Sequence, residues 1–486
     1  MIKPIKWKHE LGLLPESDVR RIHDATLSIL ERTGIVMPLD PDKLEKVQDL
    51  GVRADKSKDM LFFPPHIVEE ALSWAPQTYD LCAPDPKNDL PLDGAHGYLT
   101  TDGSATYFLD LDTGERREST TKDLADLAIV GDYLPQISFF WPGVSAADKP
   151  PEVQHLYEYK TVMMNTSKHI QVMTAIDPFS AQGTVDIAAA VSGGREALRK
   201  RPIISNFLCP ISPLSFEKKG LDAVWIYAKA GVPMGFLNMQ IAGGTAPITT
   251  AGSLAMGNAE VVAGMALLQL LYKGAKTFYG TSATTMELKS GGVVSGGPYD
   301  FMIQNVSGQM ARFYKVPYQA GTFATGAKAA DWYCGADNML SGVMSVLGKA
   351  DMMSGAGLTC AAGVFSIEQL LLDCETYEFI DETFKGMEVN DETLALDVIH
   401  AVGPKGHFMN QKHTYKHVRE IWQPKIMHRG TYADYVRDGS KSPFAVANEL
   451  AKEILKKHTP KVMYNESDID YIIRDYEKRA ETGKNR

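Results

Sequence analysis

The run GVPMGFLNMQIAGGTAPITTAGSLAMGNAEVVAGMALLQLLYKGAKTFYG (231–280) holds one complete strand–helix–strand unit. Gly231-Val232-Pro233 leads into a short apolar strand, Pro233–Gln240. Gly243 and Gly244 then interrupt it, and small and apolar residues continue as a helix through Ala259–Leu271. Lys276–Thr281 is the next apolar run. A strand that returns to its neighbour through a helix pairs with it in parallel. The same unit recurs on both sides. The strands read Tyr98–Thr101, Ile137–Pro142, His169–Met173, Pro202–Leu208, Pro233–Gln240, Lys276–Thr281, Pro317–Phe323 and Ala350–Gly355. Intervening helices include Thr121–Tyr133 and Glu217–Ala230. Eight such units predict an α/β protein closed into a (β/α)8 TIM barrel. An open doubly wound sheet is the alternative, but no G-x-G-x-x-G or P-loop follows Tyr98–Thr101. A hairpin is expected there instead, Thr106–Asp110 returning at Gly114–Glu118.

The flanks read as helical. Residues 1–95 form an N-terminal helical segment expected to pack on the barrel, residues 96–365 the barrel, and residues 366–486 a C-terminal helical extension. In the first part Ser17-Asp18 caps a helix bearing Val19, Ile22, Ala25, Ile29 and Leu30 until Gly34, and further helices open after Asp40-Pro41 and Pro64-Pro65. The tail carries Ile367–Lys385, Asp391–Val402, Pro443–His458 and Ser467–Arg479.

Bulk properties narrow the function. With 486 residues, 44% of them hydrophobic, and a net charge of -10, the chain can bury a large core and repels phosphate backbones, so no nucleic-acid partner is expected. Five cysteines, Cys82, Cys209, Cys334, Cys360 and Cys374, are odd in number and never paired as C-x-x-C, which fits reduced thiols. No signal peptide is visible and no apolar run of membrane-spanning length is read. The expected location is cytoplasmic, with no membrane partner.

Barrels of this kind carry their sites where strands end. That rule selects Thr101, Asp102, Trp141, Thr174, Asn206, Phe207, Asn238, Gln240, Tyr279, Thr281, Ser282, Phe323, Lys328 and Ser354. The set is rich in amides, hydroxyls and aromatics, with no carboxylate pair and no histidine. It suits gripping and positioning better than proton transfer, so no catalytic acid, base or nucleophile is expected. The loop GTFATGAKAADWYCGADN (321–338) gathers Lys328, Trp332 and Tyr333, and aromatic faces attract cations. Lys328 as an imine-forming lysine would instead make the chain a barrel lyase or aldolase. DVIHAVG (397–403) is one residue too long for the D-x-H-x-x-G corrinoid motif. His413 and His417 have the i, i+4 spacing of metal ligands, but no companion carboxylate or cysteine is evident, so no metal is expected.

Several long stretches resemble the trimethylamine methyltransferase family, in its branch lacking pyrrolysine. They are LPESDVRRIHDATLSILERTGIVM, FPPHIVEEALSWAP, FLDLDTGERRESTTKDLADLAIVGDYLP, GGTAPITTAGSLAMGNAEVVAGMALLQLL, SIEQLLLDCE and ETLALDVIHAVGPKGHFMNQKHTYKHVREIWQPKI. The resemblance implies a TIM barrel that hands a methyl group to the Co(I) of a corrinoid (cobalamin) presented by a separate corrinoid protein, with no cofactor tightly held by this chain. Family members with pyrrolysine use trimethylamine and carry that residue after the seventh strand; here the loop, ADWYCGADN, holds ordinary residues, with Tyr333–Cys334 nearest the equivalent place. A quaternary amine needs no such group, because a neutral tertiary amine leaves when its methyl carbon is attacked. The resemblance therefore implies a quaternary-amine donor, glycine betaine foremost, yielding dimethylglycine. Trp141, Phe207, Tyr279, Phe323, Trp332 and Tyr333 then become cage candidates, and Asn206, Asn238, Gln240, Thr281 and Lys328 candidates to hold the substrate carboxylate. A non-catalytic betaine-binding relative is the remaining alternative. A homo-oligomer is the default expectation.

Overall fold

The computed structural model describes residues 2–103, 105–172 and 176–483. Its centre is a closed sheet of eight parallel strands: β1 (His96–Thr101), β2 (Ile137–Phe140), β3 (His169–Gln171), β4 (Ile204–Leu208), β5 (Met234–Asn238), β6 (Thr277–Thr281), β7 (Tyr318–Gly321) and β8 (Met352–Ala356). Each strand pairs with the next, and β8 returns to β1 with Met352 opposite Tyr98 and Met353 opposite Leu99. Helices alternate with the strands: α1 (Thr121–Tyr133), α2 (Gln154–Asn165), α3 (Pro178–Val191), α4 (Lys218–Ala230), α5 (Thr250–Leu271), α6 (Pro298–Tyr314), α7 (Trp332–Leu347) and α8 (Ile367–Phe384). The expected (β/α)8 barrel is the fold.

Local chemistry sets the boundaries. A capping box between Thr120 and Asp123 opens α1, and Gly231, left-handed at φ 80°, closes α4 before the return into β5. Helix α5 begins nine residues earlier than its periodicity suggested, because Gly, Ala and Ser pack inward as readily as the apolar residues beyond them. It is 22 residues long, and an 18-residue stretch of it has a mean hydropathy of 1.5, so the expectation that no run of membrane-spanning length occurs is corrected. From Ser253 to Leu271 it is wholly buried, wedged between the barrel and the helices Glu16–Ser28 and Pro65–Ser73.

The segment before β1 is not purely helical, which corrects the helical reading. Its first helix starts after Pro15, so Ser17 and Asp18 lie in the first turn and make no cap. Ile35–Val36, Met60–Phe62 and Arg53–Asp55 form a small antiparallel sheet, and Ile5–Lys6 pairs antiparallel with the start of β1. The hairpin Tyr79–Leu81/Leu90–Leu92 sends Leu81, Leu90 and Leu92 into one cluster with Tyr98, Phe139, Phe278 and Met352, which stoppers the N-terminal end of the barrel. In the tail, Pro443–Lys457 and Glu466–Glu481 pack back on the barrel helices. The intervening arm is different: Asp391–Leu394, Leu396–Val402, Lys412–His417 and Tyr432–Arg437 bury none of their residues. The single helix expected over 391–402 is broken at Ala395, whose φ is 51°.

Candidate active site

Side chains on a strand alternate between two faces, so each strand of a closed barrel points every second residue inward. Two contacts between non-neighbouring strands fix which. Gln171 on β3 and Gln319 on β7 exchange amide hydrogen bonds in both directions, each 2.9 Å long, across the barrel. Trp141, just past β2, meets Phe207 of β4 edge-to-face, with ring centroids 5.0 Å apart. Phe207, Leu237, Phe278 and Met352 thus face the interior. Gly235 and Gly280 leave room there: a Cβ at Gly235 would fall 2.1 Å from the Phe278 ring.

This orientation corrects much of the strand-end selection. Asn206 is one residue from Phe207 and so points the other way, to Tyr227 of α4. Asn238 accepts from Thr281 Oγ1 at 2.6 Å, and both belong to the outer parity. Gln240 donates to the Ser253 carbonyl at 3.0 Å against α5. Tyr279 stacks on Tyr314 of α6 and tilts on Tyr318. Phe323 packs against Gly342 of α7. These polar and aromatic groups seat the helices on the barrel wall and do not line its mouth. Ser354 is buried and donates to the Ala320 carbonyl at 3.2 Å. Thr174 lies outside the described residues.

Trp141 and Phe207 are the two cage candidates that come together inside the barrel. The Trp141 backbone is pinned by Thr101, whose Oγ1 donates to its carbonyl at 2.5 Å and accepts from its N–H at 3.1 Å. Its indole lies flush on the Gly103 backbone, where a Cβ would fall 2.2 Å from the ring. The buried indole N–H has no hydrogen-bond partner among the described residues. Asp102 precedes that glycine. Burial pushes its carboxyl up to about 7, only partly offset by the Gly103 N–H donating to it at 2.7 Å. Cys209 stands in its electrostatic reach, and burial raises the thiol to about 12; the sulfur of Met239 is 3.7 Å from it. Gln171, Gln319, Cys209 and Met239 were not selected from the sequence. Counting two residues on from Phe207 would have found Cys209.

Lys328, Trp332 and Tyr333 are on the rim. Lys328 is exposed and donates to the Gly326 carbonyl, which leaves it outside the apolar pocket an imine-forming lysine requires. Trp332 is 86% exposed and Tyr333 42%, at the first turn of α7. Beneath this loop, outside the strand-end set, Asp300 and Asp337 lie on α6 and α7, and the Asp337 charge adds slightly to the upward push on Asp300. Burial lifts Asp300 to about 7, and Thr284 and Thr285 donate to it at 2.7 and 2.9 Å; Thr325 donates to Asp337 at 2.9 Å. Asp300 lines a cavity of about 20 Å³, room for a single water, together with Thr281, Ser282 and Gln304. Around the same open face Ile176, Ile211, Met239, Ile248, Leu288 and Val293 are also exposed. In the tail arm the companion carboxylate that the sequence reading lacked is present, since Glu392 joins His413 and His417.

A model of the family described as trimethylamine methyltransferase (MTTB) matches residues 3–483. The trimethylamine methyltransferase MttB of Desulfitobacterium hafniense (strain DSM 10664 / DCB-2) is 32% identical over 445 residues, covering 92% of this chain and 89% of that one. MttB of Methanosarcina barkeri (strain Fusaro / DSM 804) is 33% identical over 457 residues, 92% of this chain and 91% of its own. The glycine betaine methyltransferase of Desulfitobacterium hafniense (strain Y51) is 28% identical over 460 residues, 94% and 95%. Among solved structures, the hydroxylamine complex of MtmB overlays with a TM-score of 0.50 at 13% identity, covering 92% of this chain and 95% of that one, a likeness of fold. With the family model spanning nearly the whole barrel, its N-terminal stopper and its tail, this chain belongs to the trimethylamine methyltransferase family.

Proposed function

We propose that this chain takes a methyl group from a small quaternary amine, glycine betaine foremost, and passes it to the corrinoid of a separate protein docked on the open face of the barrel. The observation that carries the reading is the Trp141–Phe207 pair next to Asp102. Aromatic edges and faces beside a carboxyl in a water-poor mouth make a receptacle for a permanent cation, each desolvated ring contact contributing about 2 kcal/mol. Asp102, ionised, is the counter-ion, and the orphaned Trp141 N–H is a donor for the carboxylate at the other end of a betaine. Because the leaving group is a neutral tertiary amine, these residues need only grip the cation, aim one methyl outward and exclude water.

The rim suits the second reactant. Exposed Ile176, Ile211, Met239, Ile248, Leu288 and Trp332 offer an apolar border of the kind that marks a protein-docking surface. When docked, the corrinoid supplies the Co(I) nucleophile that accepts the methyl group. The five unpaired thiols agree with a reduced cytoplasmic enzyme. The division at 95/96 and 365/366 separates stopper, barrel and tail.

A relative named glycine betaine methyltransferase supports this donor. The relatives at 32–33% identity are named for trimethylamine, which favours a second reading with a tertiary amine. Purified protein mixed with cobalamin held as Co(I) and, in turn, glycine betaine, carnitine, proline betaine and trimethylamine separates them through the visible spectral change on methylation. Turnover of a quaternary amine is the expected result. Turnover of trimethylamine alone moves the function to the second reading. Silence with every compound, with a rise in melting temperature on adding betaine, leaves a binding protein.

A further inference from the structure

We propose that the tail arm carries a structural site for a divalent metal ion of the zinc class, held by Glu392, His413 and His417. The inference stands apart from the methyl-transfer reading. Asn390 caps the one-turn helix Asp391–Leu394 and fixes where Glu392 projects. His413 and His417 sit one turn apart on Lys412–His417, with ring centroids 4.4 Å apart. One donor atom from each of the three residues lies within 4.8 Å of the other two. Ligands about 2.0–2.1 Å from a tetrahedral zinc are roughly 3.3 Å apart, so a small side-chain adjustment closes the set. Two imidazoles and a carboxylate suit zinc better than magnesium or calcium, and solvent takes the fourth position.

A second observation points the same way. Glu420 Oε2 lies 2.8 Å from His417 Nδ1, the carboxylate-on-histidine arrangement that orients metal-bound imidazoles and leaves Nε2 facing outward to the ion. That Nε2 already lies 3.1 Å from Glu392 Oε1. Lys416 donates to the same Glu392 oxygen at 2.6 Å, and with Glu420 on His417 the cluster counts two carboxylates against this one ammonium, a net negative charge when the rings are neutral. The arm also has a physical need for the ion. Its helices bury none of their residues, and a segment without a core is ordered by cross-links. Glu392 is 21 and 25 positions from the two histidines, so one ion would tie both ends of a long excursion.

The test uses the full chain, stripped by chelation and titrated with Zn²⁺ by calorimetry, with Co²⁺ as a visible reporter of tetrahedral geometry. The wild-type chain should take up a single equivalent, show the cobalt bands and become resistant to proteolysis between about residues 387 and 441. The double variant His413→Ala, His417→Ala should lose all three responses while keeping the melting temperature of its barrel. Glu420→Gln should bind about tenfold more weakly. No uptake by the wild type, or equal uptake by the double variant, overturns the proposal; the latter result identifies adventitious metal elsewhere.

Discussion

Trp141 and Phe207 meet edge-on inside the barrel at an interplanar angle of 88°, although β3 stands between the strands they extend. Neither ring could reach the other from the helix side of the sheet. The contact therefore marks the inner wall of the mouth, and the close approach of Gly103 holds the indole upright there.

Replacing Trp141 with Leu keeps an apolar side chain and removes the ring quadrupole. Turnover of a quaternary amine should fall about tenfold or more in kcat/KM, the equivalent of ~1.4–2 kcal/mol. Steady-state rates with glycine betaine and reduced cobalamin check this. Rates within twofold of wild type place the cation elsewhere.

Trp332 makes the opposite case. At 86% exposure on the rim it is too far out to desolvate a small ligand. Trp332→Ala should leave stability within about 0.5 kcal/mol and the rate with free cobalamin unchanged. The KM for a protein-bound corrinoid should rise several-fold, as expected for an exposed aromatic anchor. Comparing the two acceptors side by side measures this directly.

The barrel was legible in the sequence because eight apolar runs alternate with helices, and the alternation is dictated by burying both faces of a parallel sheet. That same burial hides which face is which. Asn206 and Phe207 are neighbours at the same strand end, yet one braces α4 and the other lines the mouth. Polar residues drew the strand-end selection toward Asn238, Gln240 and Thr281, whose side chains lie on the outer parity, where Gln240 donates to the Ser253 carbonyl of α5 and Thr281 donates to Asn238 on the neighbouring strand. Glu392 was missed for another reason: its partners lie 21 and 25 positions away across a segment with no periodic core to predict the fold-back.

Asp102 gives the mouth a pH signature. Its carboxyl titrates at about 7 because it is buried, so the counter-ion for a cationic substrate is complete only above that value. Activity toward quaternary amines should climb between about pH 6 and 8 and then level off, while Asp102→Asn should be slower and flat across the same range. Stability runs the other way. A carboxyl raised in the folded state holds its proton more tightly there, so its contribution is full below the unfolded value near 4 and is lost as pH rises through 7. The melting temperature of Asp102→Asn should therefore improve relative to wild type from about pH 5 to 8. A pH-independent difference between the two proteins would show that Asp102 titrates normally.

Lys168 braces the barrel wall between α1 and β2. Its ammonium is 4% exposed and donates to three carbonyls, Gly131 and Leu134 at 2.7 Å and Ile137 at 2.6 Å, joining the end of α1 to the start of β2. Burial lowers the ammonium to about 8, with Asp132 opposing, so the group remains charged at neutral pH. Lys168→Met fills nearly the same space and removes the desolvation penalty, but it turns three buried oxygens toward a thioether. Stranded acceptors at a helix C-terminus outweigh the relief, and the chain should lose about 3 kcal/mol in urea unfolding. Because the lysine's folded value is depressed below 10.5, the unfolded chain binds the extra proton between about pH 8 and 10.5. The wild type therefore gains stability over that window while the Met variant does not. The gap between them should widen with pH, and a gap that narrows would mean the three carbonyls hold the charge more strongly than burial opposes it.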